Sequence, residues 1–274
     1  MIELTKKQKT DFYQVGFFIL PNIFQADEIN EIKVSFQSLQ EAAFALAHEQ
    51  RQNLDSVREK VIMHQGAQFV LGQVKQRPST AQLTIRRVSW CGAAELTLSE
   101  YGKDPRLLSI ASQLLGSREM QQLINQAHFK LPGDEVTFEW HQDSTHRGFG
   151  GKYWQDVNSQ GSYVQTLTAI DDITMDNGPV CFIPNTVEFG HLDLSNKLDK
   201  HLQSGLFRLQ DAVPVAMKSG SVAVFHPYSV HGSQANRSAE PRRTFINGYA
   251  YPGANSRQYV GEGAGRIVVD TKIL

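Results

Sequence analysis

The tetrapeptide Trp140-His141-Gln142-Asp143 brings together two side-chain types that bind transition metals. In an extended chain, residues two apart point the same way and lie about 6–7 Å apart along the strand. An imidazole nitrogen and a carboxylate oxygen can then converge on one ion. A second histidine would complete a 2-His-1-carboxylate set, which leaves coordination positions open and favours non-haem Fe(II). His231, in Phe225-His226-Pro227-Tyr228-Ser229-Val230-His231-Gly232-Ser233, is the leading candidate. His226, beside a proline, is the alternative and reads more readily as a packing or supporting histidine.

Downstream lies Asn236-Arg237-Ser238-Ala239-Glu240-Pro241-Arg242-Arg243. A guanidinium one strand away from a metal suits a dicarboxylate, with one end on the metal and the other in the fork of the arginine. Arg242 and Arg243 face opposite ways if this segment is extended, so one of them enters the site. On the other side, Ser144 to Trp154 leaves directly from Asp143 and carries Gly148, Gly150 and Gly151, the freedom a lid needs. His146, Arg147 and Lys152 in this segment are candidates for meeting an anionic group of a substrate, and Trp154, Tyr153 and Trp140 for covering it. Arg86 and Arg87 are further candidates, since one of them faces inward on a regular strand from Leu83 to Trp90.

The elements that position these residues divide the chain in two. The first 120 residues read mainly as a helical brace: a helix capped by Thr5, a strand Gly16 to Pro21, a long helix opened by Ala26-Asp27-Glu28, a polar stretch from His48 to Arg58, and a helix from Pro105 to Leu115 ended by Gly116. In the long helix, Ile29, Ile32, Phe36, Leu39, Ala43 and Leu46 recur at three- and four-residue intervals. From about 121 to 274 the texture is short β-type runs broken by Gly, Pro, Asn and Asp: Gln122 to Leu131, Glu135 to His141, Ser162 to Ile173, Val180 to Pro184, Ser221 to Pro227 and Thr244 to Tyr251. This predicts an α+β protein with a mainly β core, an antiparallel sandwich or barrel in one domain over 1–274.

With 27 basic and 28 acidic residues, the net charge of −1 gives no electrostatic reason to expect nucleic acid or an anionic membrane as partner. Cys91 and Cys181 are too few for a disulfide framework or a tetrathiolate site and read as reduced core thiols. The N-terminal residues have no apolar signal region, and no run of about 18 apolar residues occurs. The expectation is a cytoplasmic protein, monomer or homodimer, acting on a small molecule. Gly261-Glu262-Gly263-Ala264-Gly265 lacks the strand–helix setting of a nucleotide loop, and hydrolase motifs are missing.

The chain resembles the phytanoyl-CoA dioxygenase-like family of Fe(II)/2-oxoglutarate-dependent oxygenases. The matching pieces are Gly16-Phe17-Phe18-Ile19-Leu20-Pro21, the Asp104-Pro105-Arg106 to Gly116 helix, Phe129-Lys130, His141-Gln142-Asp143, Asp176-Asn177-Gly178-Pro179 to Ile183-Pro184, and His231-Gly232-Ser233 to Asn236-Arg237-Ser238. Their order covers most of the chain. The resemblance implies a double-stranded β-helix (a cupin-like jelly roll) with N-terminal bracing helices. It implies Fe(II) held by His141, Asp143 and His231, with O2 and 2-oxoglutarate as co-substrates. The distal carboxylate of 2-oxoglutarate would be held by Arg242, eleven residues after His231, helped by Ser233; Lys130 and Gln126 look like further pocket residues. The implied reaction is hydroxylation of an unactivated C–H, with release of succinate and CO2. Asp143 stands where halogenating relatives carry a small residue, so halogenation is not expected. The alternatives are desaturation or cyclisation by the same chemistry, or a non-catalytic jelly-roll sensor. The chain departs from the family at Pro184-Asn185-Thr186, where relatives often carry Gly-Ser-His after the proline, and His191 on that loop is expected to be structural.

Overall fold

The computed structural model describes residues 2–49, 59–74, 82–259 and 265–271. Most of the polar stretch expected as a helix end and loop (50–58), and the glycine-rich 261–264, lie outside the described residues. The Thr5 hydroxyl accepts from Gln8 N–H while the Gln8 side chain returns to Thr5 N, a capping box that starts α1 (Lys6–Tyr13). β1 (Phe17–Leu20) enters the core, and α2 (Ala26–Glu49) buries Ile29, Ile32, Phe36, Leu39 and Ala43 along one face. Then come β2 (Glu59–His64), β3 (Ala67–Val74) and β4 (Gln82–Ser89), followed by α3 (Leu96–Tyr101). The Asp104 side chain caps α4 (Pro105–Leu115), which ends on Gly116 in the left-handed region, φ 72°.

The second half is built from β5 (Glu119–Lys130), β6 (Phe138–His141), the short α5 (Asp143–Arg147), β7 (Tyr163–Ala169) and β8 (Val180–Ile183). It continues with α6 (Leu194–Gln203), β9 (Val213–Pro214), β10 (Val222–Phe225), β11 (Val230–Ser233), β12 (Arg242–Ala250) and β13 (Arg266–Val269). Two sheets result. The larger runs β1-β10-β7-β12-β5-β4-β3-β2, with β13 also on β5; the smaller runs β6-β11-β8-β9. All the pairings are antiparallel, and the arrangement is the double-stranded β-helix expected.

Period-2 alternation in the large sheet separates core from site. On β12, Phe245 and Tyr249 join the core under α2 and α4, while Arg242, Thr244 and Ile246 line an internal cavity. On β5, Ala127 and Phe129 face the helices, whereas Gln126 and His128 face the cavity. Arg242 lies directly opposite Lys130 in the register, so both project inward at one end of the sheet.

The first 120 residues differ from the helical reading in one respect. β2, β3 and β4 form a meander that extends the large sheet by three strands, and β4 pairs with β5. The turn between β2 and β3 is Gln65-Gly66, with φ of 47° and 77° at its two residues. A two-residue turn with both φ positive is the kind that closes a tight antiparallel hairpin.

Candidate active site

His141 closes β6 and lies opposite His231 of β11, with ring centroids 4.2 Å apart. Gln142 is extended (φ −115°, ψ 142°), so Asp143, the first residue of α5 rather than a strand residue, still returns to the side of His141. One ligand atom from each of His141, Asp143 and His231 lies within 4.8 Å of the others. The Nδ1 of His141 is 2.6 Å from Glu139 O, and that of His231 is 2.9 Å from Ser229 O. A carbonyl only accepts, so Nδ1 carries the proton in both rings and each Nε2 lone pair is left for a ligand. Burial, with His141 alongside, pushes His231 down to about 4 and keeps it neutral. Asp143 Oδ2 is buried with no hydrogen-bond partner. Two imidazoles with Nε2 free and an orphaned carboxylate oxygen fit a divalent transition metal.

The residue between the ligands points away from them. The Gln142 amide donates to Gly190 O (2.9 Å) and Tyr228 O (2.7 Å), and its Oε1 accepts from Leu192 N (2.7 Å). His226, the alternative third ligand, is spoken for elsewhere: its Nε2 is 3.1 Å from Gln160 O, its Nδ1 accepts from Tyr228 N, and it packs on Phe12 at 5.0 Å. His191 on the divergent loop meets Ser144 Oγ at 2.8 Å.

The triad opens into a cavity of about 560 Å³. At one end Arg242, 2% exposed, donates to Gly178 O (2.8 Å) and leaves its Nε without a partner. Burial pushes its guanidinium down to about 10. Lys130 is fully buried, and its Nζ donates to Ser233 Oγ (2.7 Å) and to Gln234 O. Burial, and then Arg242 beside it, pushes that amine down to about 6. A buried guanidinium and a buried amine directly opposite each other in the register suit an anion that bridges them and favours the charged amine. Gln126 lines the same cavity, with its amide between Ser89 and His128. Arg243 faces the other way and forks onto Asp171 at 2.9 and 2.8 Å, which fixes the register left open in the sequence.

The remaining candidates separate. Arg86, Arg87, His146 and Arg147 line the cavity; Lys152 and Trp154 are not among the lining residues. Lys152 is exposed, with its Nζ 5.0 Å from the Tyr153 ring centre, and Trp154 stacks on Phe149 at 4.1 Å. The basic lid segment therefore contributes its first residues to the cavity, while its later ones pack or face solvent. Arg257 and Tyr259 also line the cavity and had been missed. They sit on an irregular segment near the C-terminal strand, where neither periodicity nor a motif marks them.

A family model described as phytanoyl-CoA dioxygenase (PhyH) matches residues 12–244. The chain belongs to the phytanoyl-CoA dioxygenase family. It is an enzyme of the Fe/2-oxoglutarate-dependent oxygenases on that membership. It is 23% identical over 208 residues to L-proline trans-4-hydroxylase of Streptomyces griseoviridis, covering 64% of this chain and 72% of that protein. EctD from S. alaskensis, crystallised with 2-oxoglutarate and 5-hydroxyectoine, superposes with a TM-score of 0.66 at 17% identity, over 97% of this chain and 86% of that one. SnoK, a non-haem α-ketoglutarate-dependent carbocyclase from nogalamycin biosynthesis, gives a TM-score of 0.65 at 15% identity over 97% of both chains. These two structures share the family fold with the chain. No helix among the described residues is long and apolar enough to cross a membrane.

Proposed function

We propose that the chain is a cytoplasmic Fe(II)/2-oxoglutarate-dependent hydroxylase of a small anionic or zwitterionic metabolite. The observation that carries this is the convergence of His141, Asp143 and His231 beside a cavity that Arg242 and Ser233 line, with the buried Lys130 amine hydrogen-bonded to Ser233. His141 and His231 would hold the metal through Nε2, and Asp143 through its unpartnered oxygen. Arg242, with Ser233 and Lys130, would hold the distal carboxylate of 2-oxoglutarate. Iron and 2-oxoglutarate, when bound, supply the oxidation of an unactivated C–H, with succinate and CO2 released. The chain orients the two reactants and excludes water: Leu123, Ile124, Leu167 and Ile246 give the floor an apolar surface, and α5 roofs it. The intact carboxylate at 143 argues against halogenation, and the similarity to a proline hydroxylase favours hydroxylation.

The test is anaerobic addition of Fe(II) and 2-oxoglutarate to purified protein, watching for a weak visible charge-transfer band, then succinate formation on admitting oxygen. Asp143→Ala is expected to abolish both while leaving a folded protein, since the carboxylate removed has a buried, unsatisfied oxygen in the metal-free chain. Neither band nor succinate from well-folded wild-type protein would overturn the reading.

A further inference from the structure

Five arginines and two carboxylates, Glu139 and Asp143, line the cavity. One of the arginines stands out. Arg147 ends α5 and is 7% exposed, with its guanidinium 5.8 Å from the Tyr163 ring centre and 5.1 Å from that of Tyr259. Its Nε and Nη1 are buried without a hydrogen-bond partner, and it enters no ion pair among the described residues. Besides burial, Tyr163, Tyr259 and Asp143 act on its charge, Tyr259 also through a side-chain hydrogen bond, and the one carboxylate among them is one the metal would claim. A guanidinium so deeply desolvated needs a counter-charge.

2-Oxoglutarate cannot supply it. Arg242, Thr244, Ile246 and Gly248 project to the same face of β12, and six residues of strand span about 20 Å. Tyr163 lies over Gly248, where any side chain would collide with its hydroxyl, and Arg147 lies over Tyr163. A five-carbon diacid gripped at the Arg242 end falls far short of that corner. The corner is also tied shut around the arginine: Arg257 Nη1 donates to His146 O (2.8 Å), Gln155 N to Ala254 O (2.8 Å), and Ser256 N to Tyr153 O (2.9 Å).

We propose that Arg147, framed by Tyr163 and Tyr259, anchors an acidic group of the substrate, carboxylate or phosphate, at the end of the cavity away from Arg242. This rests on the oxygenase reading above, and makes Arg147 a specificity-determining residue that orients one end of the substrate across the metal. Lys152 and Trp154 take no part in it.

The experiment follows thermal unfolding of the metal-loaded protein at saturating 2-oxoglutarate while acetate or inorganic phosphate is added at constant ionic strength. A rise of about 3 °C is expected for wild type at tenfold excess over Kd. Arg147→Gln is expected to lose the rise while its visible 2-oxoglutarate band persists. The anion giving the larger rise identifies the acidic group. No rise with either anion in wild type overturns the proposal. So does an undiminished rise in Arg147→Gln, which would make the arginine a structural cation between two tyrosines. Should Arg147→Gln fail to fold, Arg147→Lys carries the comparison: keeping the charge without the planar fork, it should weaken acetate binding at least fivefold, and unchanged binding of both anions overturns the proposal. Absence of the 2-oxoglutarate band in wild type would fail the oxygenase reading instead, with the anion responses still reporting on Arg147.

Discussion

Arg242→Gln separates co-substrate binding from metal binding, and its size can be worked from the structure. The guanidinium is 2% exposed and projects into the cavity from β12, opposite Lys130. Each charge-assisted hydrogen bond to a carboxylate contributes about 1.5–3 kcal/mol, and a fork makes two. Lys130 and Ser233 stay behind to share the carboxylate, so the lower half of that range applies, about 3–4 kcal/mol. That weakens 2-oxoglutarate by two to three powers of ten. The cost to folding is smaller. Gly178 O loses its donor, worth about 1–3 kcal/mol, but removing a cation that burial already pushes down to about 10 offsets part of this. Anaerobic titration of the visible band gives the Kd directly, and parallel metal titration should show iron affinity nearly unchanged. Arg243→Gln is the control. It breaks the pair with Asp171 and lowers stability, yet leaves the 2-oxoglutarate Kd where it was. A change of less than tenfold in Arg242→Gln, or an equal change in Arg243→Gln, would refute the assignment.

Lys130 should make 2-oxoglutarate binding depend on pH. In the free protein burial, then Arg242, holds its amine near 6, so at pH 7.5 it is largely neutral; a bound dicarboxylate favours the charged form and binding takes up close to one proton. Affinity then falls by up to tenfold per pH unit above about 6. The free protein gains stability as pH rises from about 6 towards 10.5, because there the unfolded chain holds the extra proton. Calorimetry in buffers of different ionisation enthalpy measures the uptake; Lys130→Met should abolish it, and no uptake in wild type would refute the account. His226→Ala should lower stability by about 2–4 kcal/mol through lost packing on Phe12 and Tyr228 while keeping one metal per chain. Loss of the metal with the fold intact would return His226 to the ligand set.

The chemistry was more legible than the frame around it. His141 and Asp143 could be read because two-residue spacing on extended backbone has one geometric outcome, and Gln142 keeps that backbone although Asp143 begins a helix. Alternation said only that one of Arg242 and Arg243 enters the site, and the resemblance to the family chose Arg242, whereas rejecting His226 required seeing Gln160 and Tyr228 take its two nitrogens. Of the meander, β4 matches the strand expected from Leu83 to Trp90, while β2 and β3 mix polar and apolar residues and leave the Gln65-Gly66 turn as their clearest mark. Arg257 and Tyr259 reach the cavity from irregular chain, where contact is a tertiary fact with no local trace. The separation of Arg147 from Lys152, five residues on, likewise depends on where α5 stops and the chain turns at Gly148 (φ 81°).

Gln142 couples two parts of the molecule that would otherwise vary independently. Its bonds to Gly190 O and Leu192 N bolt the loop they sit on to the peptide carrying both His141 and Asp143. A transplanted loop from another member of the family would arrive with its own carbonyl and amide positions, and the amide that must meet them is covalently joined to the ligand pair. Redesign of specificity on that side is therefore also an adjustment of the metal centre, and a loop graft is best made with residue 142 treated as part of the graft.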